Sequence, residues 1–170
     1  MYLYKTIIID DEPLAIDVIV LHLSRFSNFK VIKTFTDSVE AFNYLKGGDE
    51  VDIVFTDIAM PEISGIELVK LSKDMTKFIM TTSYSEYAVE GFDLGVVDYL
   101  LKPISFERFS KAMNRFENLE NNGSPKTHEP SFFVKEGDEF IKVLVKDIDY
   151  IEGLKDYAKT LINSSPSFTK

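Results

Sequence analysis

The chain has 170 residues, with 19 lysines and arginines against 28 aspartates and glutamates, and a formal net charge of −9. This length predicts one domain, or one domain with part of a second. The composition, 45% hydrophobic and 28% charged, is that of a globular protein, and every apolar run is too short to cross a bilayer. We therefore exclude a membrane span and global disorder.

The sequence contains no cysteine, and its N-terminus reaches three acidic residues after a short apolar segment. The first feature excludes disulfides and thiolate metal sites, and the second does not fit a secretory signal. We expect a cytoplasmic protein with no membrane partner. Residues 1–120 hold 12 basic and 20 acidic residues, whereas residues 121–170 hold 7 and 8. The first part should repel nucleic acid, so any DNA binding has to come from the second.

Five short apolar runs predict the strands of a parallel sheet, because their residues are apolar at successive positions and suit burial on both faces. The runs are residues 6–9, 31–35, 53–55, 78–80 and 96–101. Helices are predicted over residues 14–26, from the Asp37–Ser38 cap to Gly47 and Gly48, and over residues 63–71, 86–94 and 105–119. This alternation predicts an α/β fold, a doubly wound sheet between two layers of helices.

Residues 121–130 lose the apolar periodicity and gain Asn, Gly, Ser and Pro, which predicts a linker. After it, residues 132–135 and 140–146 flank a turn-like Glu-Gly-Asp-Glu sequence and predict a β-hairpin that begins a small β module. The polar tail from Asn163 onward is expected to fray. We therefore divide the chain into a domain over residues 1–120, a linker over 121–130 and a module over 131–170.

Polar residues directly follow four of the five predicted strands. They are Asp10, Asp11 and Glu12 after the first, Thr56 and Asp57 after the third, Thr81, Thr82 and Ser83 after the fourth, and Lys102 and Pro103 after the fifth. In a doubly wound sheet the ligand site lies outside the carboxyl ends of the strands. We expect these side chains to converge at that edge.

Carboxylates that crowd together raise one another's pKa and destabilise a fold unless a cation lies among them. Oxygen donors with no His or Cys nearby favour Mg²⁺ over zinc. A carboxylate beside Mg²⁺ and a lysine can attack phosphorus, because the cations reduce the repulsion between an anionic nucleophile and an anionic donor. The pattern therefore predicts an aspartate that accepts a phosphoryl group.

Residues 4–120 resemble the receiver domains of two-component response regulators. The resemblance is carried by Asp10-Asp11, the Asp57-Ile58-Ala59-Met60-Pro61 block with Gly65, and by Thr82, Tyr99 and Lys102-Pro103. It implies a flavodoxin-like sheet of five parallel strands in the order 2-1-3-4-5. It also implies that Asp57 is the phosphoacceptor. Four groups are the implied ligands of Mg²⁺: the side chains of Asp10, Asp11 and Asp57 and the backbone carbonyl of Ala59.

The resemblance implies three further roles around the phosphoryl group. Lys102 would pair with its oxygens, Thr82 would move to hydrogen-bond them, and Tyr99 would swing inward to fill the space that Thr82 leaves. The Lys102–Pro103 bond is often cis in such proteins, which makes Pro103 a candidate cis-proline.

Residues 131–170 resemble the opening of a LytTR-type DNA-binding domain, through the Phe132-Phe133-Val134 segment and the residues from Asp147 to Gly153 and at Asp156-Tyr157. Receivers with sequences like those of residues 84–88 and 98–103 are commonly joined to that domain. Only 40 positions are present, less than half of the expected domain. A generic β-hairpin is the alternative interpretation of this segment.

Together these resemblances imply a LytTR-type transcriptional regulator with a sensor histidine kinase as its phosphoryl donor. Phosphorylation is expected to pair receivers as homodimers through the face formed by the fourth predicted helix, the fifth strand and the fifth helix, around Tyr87, Tyr99 and Lys111. Promoter DNA is the expected partner of the full-length protein, whereas specific DNA binding is not expected of these 170 residues. The chain would be a regulator rather than an enzyme, limited to Mg²⁺-dependent self-phosphorylation and dephosphorylation.

Other functions stay open. The chain could be a receiver that acts through protein contacts alone. A phosphatase with an aspartyl nucleophile would need a second acid two residues after Asp57, where Ala59 stands. A flavin carrier would need a phosphate-binding loop after the first strand, where acids stand. The residues therefore disfavour these last two.

Overall fold

The structure of the chain is a computed structural model that describes residues 2–83, 94–121, 131–136, 139–144, 148–154, 157–162 and 165–169. In chain order the elements of the first two segments are β1 (Tyr4–Ile9), α1 (Pro13–Leu23), β2 (Phe29–Phe35), α2 (Ser38–Lys46), β3 (Ile53–Asp57), α3 (Gly65–Ser72), β4 (Lys77–Thr82), β5 (Asp98–Leu101) and α4 (Phe106–Asn121). All five predicted strands are present. Four of them extend beyond the apolar runs, because backbone pairing also includes polar residues such as Lys77 and Asp57, whereas β5 begins at Asp98, two residues later than predicted.

The five strands form one parallel sheet in the order β2-β1-β3-β4-β5, which confirms the predicted fold class and strand order. Alternate residues of β1 face opposite layers. Ile7 and Ile9 pack in a core cluster with Leu45 of α2 and Leu68 of α3, whereas Ile8 packs in a second cluster with residues of α1 and α4. The sheet is therefore covered on both faces, and only its edges and strand ends are left for a site.

Helix boundaries follow from local capping. The Asp37 side chain accepts a hydrogen bond from the Glu40 amide at 2.8 Å, and α2 ends at the predicted glycine. Helix α3 starts at Gly65, two residues later than predicted, because Ser64 and Glu67 form a capping box. Helix α1 ends at Leu23 rather than at residue 26, since Ser24 is its C-cap.

Helix α4 confirms the periodicity of the fifth predicted helix. Phe109, Met113 and Phe116 are fully buried against the sheet, and the Ser105 side chain accepts a hydrogen bond from the Arg108 amide at 3.2 Å. The helix continues to Asn121, which the sequence assigns to the linker. Residues 86–93 of the fourth predicted helix and residues 122–130 of the linker lie outside the described residues. Among the helices that the structure describes, none has both the length and the apolar character to span a membrane.

The C-terminal segments are strands. β6 (Ser131–Glu136) and β7 (Glu139–Leu144) pair antiparallel, which confirms the predicted hairpin pairing. The strands β8 (Ile148–Leu154), β9 (Tyr157–Ile162) and β10 (Ser165–Thr169) form an antiparallel sheet in the order β10-β9-β8. The expectation that the tail frays is wrong for residues 165–169. Backbone pairing with β9 orders this segment although its side chains are mostly polar.

Candidate functional site

The carboxyl ends of β1, β3 and β5 bring two carboxylates and one ammonium into contact. The Nζ atom of Lys102 lies 2.8 Å from Oδ2 of Asp10 and 2.7 Å from Oδ1 of Asp57. Asp10 directly follows β1, Asp57 is the last residue of β3, and Lys102 directly follows β5. All three are among the residues predicted to converge at this edge, and the parallel sheet brings them together because its strands end there.

Asp57 is held by backbone groups as well as by Lys102. It is only 5% exposed, and its Oδ2 atom accepts a hydrogen bond from the Ala59 amide at 2.6 Å. The Gly65 amide donates to the Ile58 carbonyl at 3.0 Å, which docks the start of α3 against the end of β3. A β carbon on Gly65 would lie 2.0 Å from the carbonyl oxygen of Asp57. Glycine is therefore required at residue 65 for this close approach.

Asp10 is fully buried, and its environment opposes ionisation. Burial raises the pKa of the Asp10 carboxyl above its ordinary value, although the contact with Lys102 and a 3.0 Å hydrogen bond from the Glu12 amide act against this. Burial alone would lower the pKa of Lys102, but its two carboxylate partners outweigh that effect and the pKa is raised. The ammonium is therefore held in its charged form between the two acids.

The donor set fits a divalent cation. Oδ2 of Asp10 is buried and, apart from its ionic contact with Lys102, has no aligned hydrogen-bond partner among the described residues. Two buried carboxylates, those of Asp10 and Asp57, contact one ammonium, so one negative charge is left that a hard cation would balance when both acids are ionised. Asp11 is exposed, and within the described segments no three acidic, His or Cys side chains are gathered closely enough to hold a metal ion. The structure thus joins Asp10 with Asp57 and leaves Asp11 at the rim.

The end of β4 lies beside the end of β3 and carries two buried threonines, Thr81 and Thr82. The strand register pairs Asp57 with Thr81, and Thr82 is the next and last residue of β4. The Thr82 carbonyl accepts a hydrogen bond from the Lys102 amide at 2.8 Å, which fixes the backbone of the lysine. The Thr81 hydroxyl has no hydrogen-bond partner in the described part of the chain. The family resemblance assigns a role to Thr82, whereas Thr81 was predicted only to be one of the polar residues that converge at this edge.

Tyr99 and Pro103 flank Lys102 along the chain. Tyr99 is 4% exposed and belongs to a core cluster with Met80 and Val96, so its ring is buried in this structure. Its carbonyl accepts a 2.8 Å hydrogen bond from Nη2 of Arg108 in α4. The Lys102–Pro103 peptide bond is cis. Tyr87, the other aromatic residue of the predicted dimer face, lies outside the described residues.

Sequence reasoning missed Ser38 as a support of the site. Its buried hydroxyl donates to the Pro61 carbonyl at 2.8 Å and accepts from the Ile63 amide at 3.2 Å. These bonds shape the loop between β3 and α3, which also contains Ala59 and in which Glu62 adopts a φ of 63°. The sequence marks Ser38 only as a helix cap, because its loop partners are more than twenty residues away.

The family model and the curated relatives that match this chain agree on one family. Residues 6–114 match the family described as the response regulator receiver domain. The sensory transduction protein LytR of Staphylococcus haemolyticus is 35% identical over 133 residues, which cover 75% of this chain and 52% of that protein. The chain spans about half the length of the curated relatives it matches.

Solved structures show the same fold. The response regulatory domain of mrkE from Klebsiella pneumoniae aligns with a TM-score of 0.60 at 28% identity, covering 69% of this chain and 96% of that chain. The isolated receiver domain of RcsB from Salmonella enterica, in the presence of the phosphomimetic BeF3−, aligns with a TM-score of 0.62 at 25% identity, covering 68% and 89%. Both alignments cover about two thirds of this chain and nearly all of the other domain.

Proposed function

The chain belongs to the response regulator receiver family, and on that premise we propose that Asp57 accepts a phosphoryl group from a sensor histidine kinase. The observation that carries the proposal is the contact of the buried Asp57 carboxylate with Lys102 at 2.7 Å. It supplies a nucleophile and a counterion at one point of the site. In the transfer, the N–P bond of a phosphohistidine breaks and leaves its electron pair on nitrogen, while an O–P bond forms to a carboxylate oxygen of Asp57.

The residues around Asp57 have distinct parts in this proposal. Lys102 neutralises the carboxylate before the transfer and pairs with the phosphoryl oxygens after it, which its flexible stem permits. Thr82 donates its hydroxyl to one of those oxygens. Tyr99, at the centre of β5, responds to the movement of Thr82. Each part rests on the family resemblance together with the placement of these residues within or at the ends of neighbouring strands.

Asp10 and Asp57, with Asp11 and the Ala59 carbonyl, would hold Mg²⁺. The bound ion would neutralise charge on the phosphoryl oxygens. The chain's own part is to present oxygen donors without nitrogen or sulfur ligands and to bury Asp10, whose Oδ2 atom is left without an aligned donor.

The proposed donor is a protein, and α1 offers a surface for it. Leu14, Val18 and Leu21 are spaced by the helical repeat and are 79%, 40% and 59% exposed. Leu14 lies only four residues after Asp10, so this apolar face adjoins the opening of the site. A protein that brings a phosphohistidine to Asp57 has to cover the surface around that opening. The α1 face is therefore the proposed contact for the kinase domain that carries the phosphohistidine.

The proposed output is transcriptional control. Support comes from the relative described as a sensory transduction protein and from the BtsR relatives described as transcriptional regulatory proteins. Residues 131–170 would begin a LytTR-type domain, the full-length protein would bind promoter DNA, and phosphorylated receivers would pair through the face that contains β5 and α4. A receiver that acts through protein contacts alone is the alternative, and specific promoter binding by the full-length protein separates the two.

The test of the phosphoacceptor is intact-mass spectrometry after incubation with acetyl phosphate and Mg²⁺. The wild type should gain one phosphoryl group, Asp57→Asn should gain none, and Asp74→Asn, which changes an exposed acid after α3, should behave as wild type. Folded wild-type protein that gains no phosphoryl group, or an equal gain in Asp57→Asn, would overturn the proposal.

A further inference from the structure

His22 connects α1 to the segment that follows Lys102. Its Nε2 atom lies 2.9 Å from the carbonyl oxygen of Ile104. Because a carbonyl only accepts hydrogen bonds, Nε2 must carry the hydrogen. In the neutral ring Nδ1 is then an acceptor, and this atom is buried without a hydrogen-bond partner among the described residues. The ring packs against Phe106 and Phe109, with centroid distances of 5.6 and 5.2 Å.

A purely structural role explains this histidine poorly. An apolar side chain of similar size would fill the space between the two phenylalanine rings without leaving a buried ring nitrogen unsatisfied, which costs free energy. The hydrogen bond to Ile104 is the one feature of the site that needs an N–H group. The polar ring is therefore best explained by what it does to the Ile104 backbone.

Ile104 lies two residues after Lys102, in the short segment between β5 and α4. The structure anchors this segment at both ends, through the Lys102 amide on the Thr82 carbonyl and through the Ser105 hydroxyl at the start of α4. Between these ends, the hydrogen bond from His22 of α1 anchors the Ile104 carbonyl. It fixes the path of the chain directly after the lysine whose ammonium contacts Asp57.

We propose that His22 is a positioning residue for Lys102: by holding the Ile104 carbonyl, it keeps the lysine ammonium at the phosphoacceptor carboxylate. This inference rests on the proposed phosphorylation of Asp57. His22 itself contacts neither the carboxylate nor the ammonium, so its effect is transmitted through two residues of backbone. A small displacement of a reacting or charge-neutralising group is enough to lower a reaction rate substantially.

Three substitutions separate the hydrogen bond from the packing. His22→Leu keeps an apolar filler and removes the donor. His22→Gln places an amide nitrogen near the position of Nε2, whereas His22→Asn places it near that of Nδ1 and falls short of Ile104. With acetyl phosphate and Mg²⁺, we expect the Leu and Asn variants to be phosphorylated on Asp57 about three- to ten-fold more slowly than wild type, and the Gln variant to stay within about two-fold.

A double variant tests whether His22 acts through Lys102. Lys102→Met should itself slow phosphorylation, and adding His22→Leu to it should cause no further slowing, because the group that His22 positions is gone. Phe26→Leu is the packing control: Phe26 contacts the same two phenylalanine rings, each at a centroid distance of 6.0 Å, but makes no bond to Ile104. It should lower the melting temperature and leave the rate unchanged.

The outcomes distinguish the two proposals. Wild-type protein that is not phosphorylated refutes the proposed function itself. Wild-type phosphorylation together with an unchanged rate in His22→Leu, or with slowing that persists in the Lys102→Met background, refutes the role of His22 alone. Circular dichroism selects a temperature at which the variants are folded, and if His22→Leu does not fold, the Gln and Asn variants decide: equal rates for these two would refute the role.

Discussion

Replacing Gly65 with alanine should force α3 and the end of β3 apart. The new β carbon would lie 2.0 Å from the carbonyl oxygen of Asp57, 2.9 Å from its carbonyl carbon and 3.1 Å from the Cα atom of Ile58. Ordinary contact begins at 3.4 Å, so the first separation has to grow by about 1.4 Å. All three contacted atoms are backbone atoms, and no side-chain rotation can relieve the clash.

The cost follows from what holds the two elements together. Overpacking of this kind typically costs about 1–3 kcal/mol. Separating the elements also strains the Gly65–Ile58 backbone hydrogen bond of 3.0 Å, which contributes about 1 kcal/mol. We therefore expect Gly65→Ala to lower the free energy of unfolding by about 2–4 kcal/mol. A displacement of Asp57 by about 1 Å relative to Lys102 would slow its phosphorylation by about 100-fold.

Urea unfolding followed by circular dichroism measures the first effect, and the rate of labelling by acetyl phosphate measures the second. Gly47→Ala is the matched control. Gly47 lies at the end of α2 with a φ of −66°, and its added β carbon would meet the Tyr44 carbonyl oxygen at 3.1 Å, far from Asp57. If Gly65→Ala unfolds at the same urea concentration as Gly47→Ala and labels at the wild-type rate, the close approach at Asp57 is not a constraint on this fold.

Two further predictions concern groups that position elements next to the site. Hydrogen bonds from Ser64 hold the pKa of the Glu67 carboxyl below its ordinary value. The capping box therefore stabilises the protein fully at pH values above the unfolded-state pKa of Glu67, and this contribution is lost as the pH falls through the lowered folded-state pKa. Acid unfolding should be less steep in Glu67→Gln than in wild type, and an identical pH profile would contradict this. Asp98 is fully buried, and its carboxylate oxygens lie within 2.9 Å of both terminal nitrogens of Arg108. Asp98→Asn should therefore lower the free energy of unfolding by about 3 kcal/mol. The control, Glu107→Gln, removes an exposed ion pair with Lys111 and should cost about 0.5 kcal/mol or less. If urea titration gives the same loss of unfolding free energy for both variants, burial does not make the Asp98 ion pair more important for stability than the exposed one.

The meeting of Asp10, Asp57 and Lys102 was predictable, because it depends on the topology of the whole sheet and not on local loop structure. Once the apolar runs are assigned to a parallel sheet, Asp10, Asp57 and Lys102 have to share one edge, whatever the details of the loops. The start of α3 was also readable in principle, since Ser64 and Glu67 have the spacing of a capping box. The prediction placed the helix two residues too early because it followed the apolar residues from Ile63 and not the cap.

The supports of the site were not predictable in the same way. His22 and Ser38 act on carbonyls 82 and 23 residues away in the chain, and no periodicity or local motif records such a pairing. The exposure of Asp11 has a local cause. It is adjacent to Asp10, and two consecutive side chains can both point to one site only where the chain turns. In the structure Asp10 is buried whereas Asp11 is exposed, so adjacency in sequence did not give convergence of the two side chains.

Lys102 is held by its ammonium and by two backbone anchors, and only the contacts of the ammonium would change on phosphorylation of Asp57. The ammonium contacts the carboxylates of Asp57 and Asp10, the Lys102 amide donates to the Thr82 carbonyl, and the segment after Lys102 is fixed at Ile104 by His22. A phosphoryl group would place negative charge beyond the carboxylate and draw the ammonium toward it, while the two backbone anchors keep the Cα atom in place. Since the lysine stem has several rotatable bonds, it can follow the charge without moving the strand end. In the proposed transfer, a fixed backbone with a flexible side chain would let Lys102 neutralise the Asp57 carboxylate first and the phosphoryl oxygens afterwards.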